Sequence, residues 1–241
     1  MPEIRSLPIK TEVFKQGQDF NQFLISALKD KLQDGDVLSI STKIVSINEG
    51  RTVSKSEIGK KELVERESDQ FLGEIGYNIF LTIKDGLLIP SAGIDESNAG
   101  EEQYLLFPEK PFDSAKSIWS FLKSELGLSK LGVILVDSHT TPLRRGTSGI
   151  ALSYWGFSAV RDYRGKPDIE GKALEYTFLN LVDSLAATAN LCMGEGNECI
   201  PLVVTKGADV EFTDKVDPSE IQIPLKEDLY YPFLKSITDQ T

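Results

Sequence analysis

The chain has 241 residues, 40% of them hydrophobic and 26% charged, enough to bury a core in one large domain or two small interlocked lobes. Its formal net charge of −11 argues against nucleic acid as a partner, which needs a basic face, and an anionic ligand must be met by a local basic pocket or a metal ion. Cys192 and Cys199, with no CxxC pair and with His139 as the one histidine, argue against a disulfide framework and against a zinc site. No apolar run approaches the roughly 20 residues of a membrane span, and the opening residues lack a signal-like apolar core. The expectation is a cytoplasmic protein with no membrane or nucleic-acid partner.

Taken in order, Leu7-Pro8-Ile9-Lys10 reads as a short extended opening, because proline biases its predecessor away from the helical region. Phe20, Phe23, Leu24, Ala27, Leu28 and Leu32 recur at helical spacing and predict a helix from Asp19 to near Gly35. Asp36 to Lys43 reads as a strand, and Ile44 to Arg51 as the turn that follows it. A second helix is expected from Ser56 to Leu72, with Ile58, Leu63 and Phe71 inward. Asp85-Gly86 between two apolar runs signals a hairpin over Ile79 to Pro90. It delivers the chain to Ser91–Gly100, where two glycines and the Asp95/Asn98 pair suggest either a tight loop gathering oxygen ligands or an ordinary turn.

A helix is expected from Ser114 to Leu126 with Ile118, Trp119, Phe121 and Leu122 as core residues. The run Val133-Ile134-Leu135-Val136 then predicts a buried strand that stops at Asp137-Ser138, a carboxylate and a hydroxyl held on a rigid element. Arg144, Arg145, Arg161 and Arg164 follow, and this density of guanidinium groups beside an acid points to an anionic ligand, with surface ion pairing as the alternative. Ser138 and His139 are neighbours on a strand and so face opposite ways, which argues against a Ser–His couple. Leu174, Phe178, Leu181, Leu185, Ala189 and Cys192 mark a long helix that runs into the Met193–Glu198 loop, where glycines free backbone N–H groups beside two carboxylates. Pro201 to Gly207 reads as a strand. Leu225, Tyr230, Tyr231 and Leu234 are expected to anchor the polar tail. There is no G-x-x-x-x-G-K-[ST] loop, no complete G-x-G-x-x-G turn and no G-x-S-x-G elbow.

Six stretches, in order, carry a resemblance that covers almost the whole chain. They are Leu7-Pro8-Ile9, GDVLSISTKIVSINEGR at 35–51, SAGIDESNAG at 91–100, DSHTTPLRRGTSGIA at 137–151, VRDYRGKPDIEG at 160–171 and MGEGNECIPLVVTKG at 193–207. Together they resemble the deazaflavin coenzyme F420:L-glutamate (γ-glutamyl) ligase family, including its branch proposed to act on folate-like acceptors. The resemblance implies one α+β domain over 1–241 with a mixed sheet, neither Rossmann nor P-loop, in an intertwined homodimer. It also implies an acid–amino-acid ligase that uses GTP, or ATP, with Mn²⁺ or Mg²⁺ and a potassium ion. Such an enzyme joins the amine of L-glutamate to a carboxylate of an anionic acceptor through an acyl phosphate.

Position by position, the resemblance makes Asp95, Asp137, Ser138 and Glu195 metal ligands. Leu7, Pro8, Ile9, Lys10, Thr42, Asn98, Met193, Gly194, Gly196, Asn197, Glu198, Cys199 and Ile200 become nucleotide contacts. Asp137 with Arg144, Arg145, Arg161 and Arg164 would carry the chemistry. The chain departs from the family at Ile47, where relatives place a lysine, and at Thr140-Thr141-Pro142-Leu143, where they have Gly-Arg and then a tryptophan. The acceptor, the number of glutamates added and the choice of GTP or ATP therefore stay open. A non-catalytic sensor that keeps the fold and binds nucleotide or metal is the competing reading.

Overall fold

A computed structural model of the chain describes residues 3–96 and 102–238. In chain order the first elements are β1 (Arg5–Ile9), α1 (Phe20–Leu28), β2 (Asp36–Ser41), α2 (Thr42–Asn48), β3 (Thr52–Ser54) and α3 (Lys60–Glu67). Then come β4 (Gln70–Gly76), β5 (Ile79–Lys84), β6 (Leu87–Pro90), β7 (Gln103–Leu105) and α4 (Pro111–Glu125). The second half holds β8 (Leu131–Thr140), β9 (Thr147–Trp155), β10 (Val160–Asp162), β11 (Phe178–Asn180), α5 (Leu181–Met193), β12 (Leu202–Lys206) and α6 (Tyr231–Thr238). The architecture is mixed α+β. No described helix is long and apolar enough to cross a membrane.

The centre is a five-stranded sheet in the order β1-β12-β2-β8-β9, antiparallel throughout except for the parallel β2/β8 pair. Both faces are covered. Leu38, Ile40, Val133 and Leu135 point into one apolar cluster with α1 and α4, and Val37, Ile134, Val136 and Val203 point into another with α5. Burial on both sides is why β8 opens as an unbroken apolar run rather than an alternating one. Smaller ribbons flank this core: β4-β5-β6, β3-β7 and β10-β11.

Several expectations need correction. The segment read as a turn after β2 is the helix α2, held by burial of Thr42, Ile44, Val45 and Ser46; packing overrides the weak helical propensity of its β-branched residues. The helix expected over 56–72 is only α3, and Phe71 lies on β4 with its ring 5.6 Å from that of Phe80. The first helix ends at Leu28, not near Gly35, although Leu32 is still buried. Leu174 and Phe178 precede α5, whose start is set by Asn180: its side chain accepts from the Asp183 N–H. In the tail, Tyr230 is exposed and none of Leu225, Tyr231 and Leu234 is fully buried. The tail is pinned instead by Glu220, which accepts from the buried Tyr154 hydroxyl at 2.9 Å and the Ala159 N–H at 3.0 Å. The Asp85-Gly86 hairpin stands as read, with φ of 52° and 77°.

β9 meets α5 at closest approach through Gly149. A Cβ there would lie 2.3 Å from the Ala186 carbonyl oxygen and 2.6 Å from the Asn190 Cβ. Gly149→Ala should therefore push α5 off the sheet and cost about 1–3 kcal/mol, the usual penalty of overpacking. Urea unfolding of the two proteins measures this, and equal midpoints would mean that α5 does not seat on β9 as described.

Candidate functional site

The parallel β2/β8 pair sets the site. The two strands run level, and their pairing ends where Ser41 stands beside Val136. β2 turns at once into α2, which places Thr42 and Lys43 in the first helical turn. β8 continues past the end of β2 as Asp137–Thr140, paired only with Thr147–Ile150 of β9. Thr42 and Asp137 thus emerge at one mouth, and the Thr42 hydroxyl donates to Asp137 Oδ1 at 3.3 Å.

Asp95 arrives from a third direction. The turn at Ser91–Gly93 redirects the chain after β6, and paired backbone bonds of 2.9 and 2.8 Å with Leu105 fix Asp95 beside β7. Its carboxylate meets Lys43 Nζ at 2.5 Å. Burial pushes the Asp137 carboxyl up to about 6, and Asp95 adds to the rise. The Ser138 N–H, Lys43 and the Thr42 hydroxyl pull it back. A desolvated carboxylate facing a second carboxylate favours a cation between them.

Thr42, Lys43, Asp95, Asp137, Ser138 and Glu195 line one cavity of about 270 Å³, with His139, Thr140 and Thr147 along its wall. A second cavity of about 350 Å³ shares Lys43, Asp137, Ser138 and Glu195 with the first. It is lined by Met193–Asn197, Cys199 and Ile200 of the loop after α5 and by the apolar side chains of Phe14, Ile44 and Ile47. Glu195 is turned toward Asn190, whose side-chain amide donates to it at 2.9 Å. Among the described residues no three Asp, Glu, His or Cys side chains converge closely enough to hold a metal as they stand. Four oxygen-bearing side chains on one cavity, one of them a desolvated acid, nonetheless form a donor set suited to a hard divalent cation.

The expected site residues are therefore partly gathered. Asp95, Asp137, Ser138, Glu195 and Thr42 meet at the first cavity, and most of Met193–Ile200 lines the second; Glu198 lines neither. Leu7, Pro8, Ile9 and Lys10 lie on or next to β1, and the stretch that reaches the second cavity is the next one, Thr11–Phe14. Asn98 falls outside the described residues. The four arginines do not form a cluster around Asp137. Arg144 and Arg145 are exposed on the β8–β9 hairpin tip. Arg161 pairs with Asp209 at 3.0 Å near the start of α5, and Arg164 pairs with Asp162 at 2.7 Å while covering the Phe178 ring. Closeness in sequence misled here because β9 carries the chain back across the sheet between the two pairs.

Sequence reasoning missed Lys43, the cation shared by both cavities, as well as Ser46, Thr147 and Asn190. The signal for Lys43 is its spacing: it stands four residues before Ile47, so a helix over 42–48 puts both on one face.

Residues 8–207 match the family model described as F420-0:Gamma-glutamyl ligase. The chain is 31% identical over 231 residues to a coenzyme F420:L-glutamate ligase of Methanopyrus kandleri, covering 88% of this chain and 90% of that protein. It is 33% identical over 211 residues to the ligase of the same name from Methanothermobacter thermautotrophicus, covering 79% and 83% of the two chains. The corresponding protein of Halobacterium salinarum is 35% identical over 205 residues, or 76% and 78% of the two. The fold thus sets Asp95, Asp137, Ser138 and Glu195 around one cavity in a chain whose sequence follows these ligases nearly end to end, and the protein belongs to the F420-0:gamma-glutamyl ligase family of enzymes.

Proposed function

We propose that the protein joins the amine of L-glutamate to a carboxylate of an anionic acceptor, either a coenzyme F420-like deazaflavin or a folate-like pterin, at the expense of GTP or ATP. The observation that carries this reading is the convergence of Asp95, Asp137, Ser138 and Glu195 on a cavity that shares Asp137, Ser138, Glu195 and Lys43 with the one lined by the Met193–Ile200 loop. In the first step an acceptor carboxylate oxygen attacks the γ-phosphorus and the nucleoside diphosphate leaves. In the second the glutamate amine attacks the acyl carbon, phosphate leaves and the amine gives up a proton. Both steps place negative charge where Lys43 stands at the junction of the cavities, which fits the need of phosphoryl transfer for nearby cations. Asp95, Asp137, Ser138 and Glu195 would hold Mn²⁺ or Mg²⁺, which supplies charge neutralisation at the phosphoryl oxygens when bound. His139, Thr140 and Thr147 give the first cavity a neutral polar wall, in keeping with an acceptor unlike that of relatives with arginine and tryptophan in this stretch.

The test is to incubate the protein with GTP or ATP, Mn²⁺, L-glutamate and a panel of deazaflavin and pterin carboxylates, then weigh the products. One acceptor should gain the mass of a glutamyl residue. Nucleotide binding without product from any acceptor would favour the sensor reading, which Ile47 in the second cavity supports.

The substitution Asp137→Asn should abolish ligation and weaken Mn²⁺ binding by at least about tenfold, since losing even an outer partner of a metal ligand costs about 10–100-fold. Circular dichroism should stay unchanged, because an amide can still accept from Thr42. Undiminished Mn²⁺ affinity would place the metal elsewhere.

Ile47→Lys should tighten binding of a nucleoside triphosphate. A charge-assisted contact is worth about 1.5–3 kcal/mol, and partial burial beside Lys43 offsets part of it, leaving a gain of about three- to tenfold. Calorimetric titration of GTP and ATP with Mn²⁺ reads this directly, and unchanged binding would show that the nucleotide does not reach Ile47.

We also infer a homodimer. The β10–β11 ribbon and its connection expose Ile169, Tyr176, Phe178 and Leu179, apolar surface that a second copy would cover. Sedimentation at micromolar concentration should give twice the mass of the chain, and a monomer alone would remove this part of the reading.

A further inference from the structure

Two acids stand in succession at Asp95-Glu96, and the chain holds them on different sides. Asp95 sits in a backbone bridge with Leu105, in extended chain where successive side chains alternate between faces. Its carboxylate meets Lys43 on the cavity side. Glu96 lines neither cavity. Its Oε1 meets Lys60 Nζ at 2.6 Å, and its Oε2 meets Lys55 Nζ at 3.6 Å.

Both ends of the Lys60–Glu96 pair rest on one apolar cluster. Lys60 opens α3, whose Leu63 and Val64 pack there with Ala92 and with Ile94, the residue before Asp95. Ile94 and Glu96 flank Asp95 and so share the face turned toward α3, one held by packing and the other by charge. An ion pair open to water would contribute little. The Glu96 side chain is 41% exposed, but that of Lys60 is only 12% exposed, and an ammonium so far withdrawn from water needs its partner. The bridge to Leu105 is a single residue pair that holds the backbone from one edge, and Glu96 is where a second hold is applied.

We propose that Lys60, paired with Glu96 behind Asp95, is a positioning residue for the metal site: the pair fixes the rotation of the chain at 95–96 and keeps the Asp95 carboxylate turned into the cavity. This rests on the metal site of the ligase reading above. Loss of Lys60 has opposite effects under positioning and under plain electrostatics. A lysine near a cation site repels the cation, so removing its charge alone would tighten Mn²⁺ binding. Removing a lysine that orients Asp95 weakens it. A merely structural lysine, when lost, lowers stability and leaves the Mn²⁺ affinity of the folded protein unchanged.

The experiment titrates Mn²⁺ calorimetrically into the wild type, Lys60→Met and Lys60→Arg, with circular dichroism and thermal melting recorded for each. Groups that orient a metal ligand are worth about 10–100-fold in affinity, and the partial exposure of Glu96 brings the expected loss in Lys60→Met to about three- to tenfold. Lys60→Arg, which can still pair with Glu96, should recover most of it. Should Lys60→Met not fold, Lys60→Gln is read in the same way. A neutral variant that binds Mn²⁺ as tightly as the wild type, or more tightly, overturns the proposal. So does Lys60→Arg that binds no better than the neutral variant, since the charge of the pair would then not be what holds Asp95. Wild-type protein that binds no Mn²⁺ would instead remove the metal reading, and this inference with it.

Discussion

The parallel pairing of β2 with β8 is the constraint on which the rest depends. Ser41 and Val136 are register partners, so the pairing of two strands far apart in sequence ends there, in the middle of a sheet buried on both faces. Backbone that leaves a buried sheet must find partners at once. β2 does so by turning into α2, and β8 by extending on the first residues of β9 alone. Those two escapes bring Thr42, Lys43, Asp137 and Ser138 together. The mouth lies at the carboxyl end of β2, where ligands collect in parallel sheets, although β2/β8 is the only parallel pair among the described residues.

The electrostatics of that mouth oppose the charge of the whole chain. At −11 the molecule repels anions at long range, yet Lys43 faces both cavities and holds Asp95 at 2.5 Å. Asp137 is pushed up to about 6 mainly by burial, so its ionised form is costly unless a cation comes close. Lys43 pairs with Asp95 and also favours the ionised form of Asp137, so the lysine and the two acids form one charge balance at the mouth.

How much of this was legible in the sequence depended on whether local signals agreed with tertiary packing. The Asp85-Gly86 hairpin was readable because its two residues take φ of 52° and 77° for local steric reasons. The end of β8 at Asp137 was readable because an apolar run buried on both faces ends sharply. The helix α2 was not, since Ile44 and Val45 favour strand and only their burial against the core makes them helical. β9 escaped notice as well: Gly149 weakens its strand pattern, and the reason for that glycine is α5, an element more than thirty residues on. The arginines show the limit of proximity in sequence. Arg145 and Arg161 are sixteen residues apart, but β9 intervenes and leaves one on a hairpin tip and the other paired with Asp209.

The departures from the family gain meaning from where they sit. Lys43 and Ile47 lie one helical turn apart on α2, so a lysine at 47 would stand beside the lysine already at the junction of the cavities. With isoleucine there, Phe14, Ile44 and Ile47 together give the second cavity an apolar part of its lining. Thr140 and Thr147, register partners across β8 and β9, alter the first cavity alone. The two sets of departures thus fall on different cavities, which have Asp137, Ser138, Lys43 and Glu195 in common, the residues on which the proposed ligase reading rests.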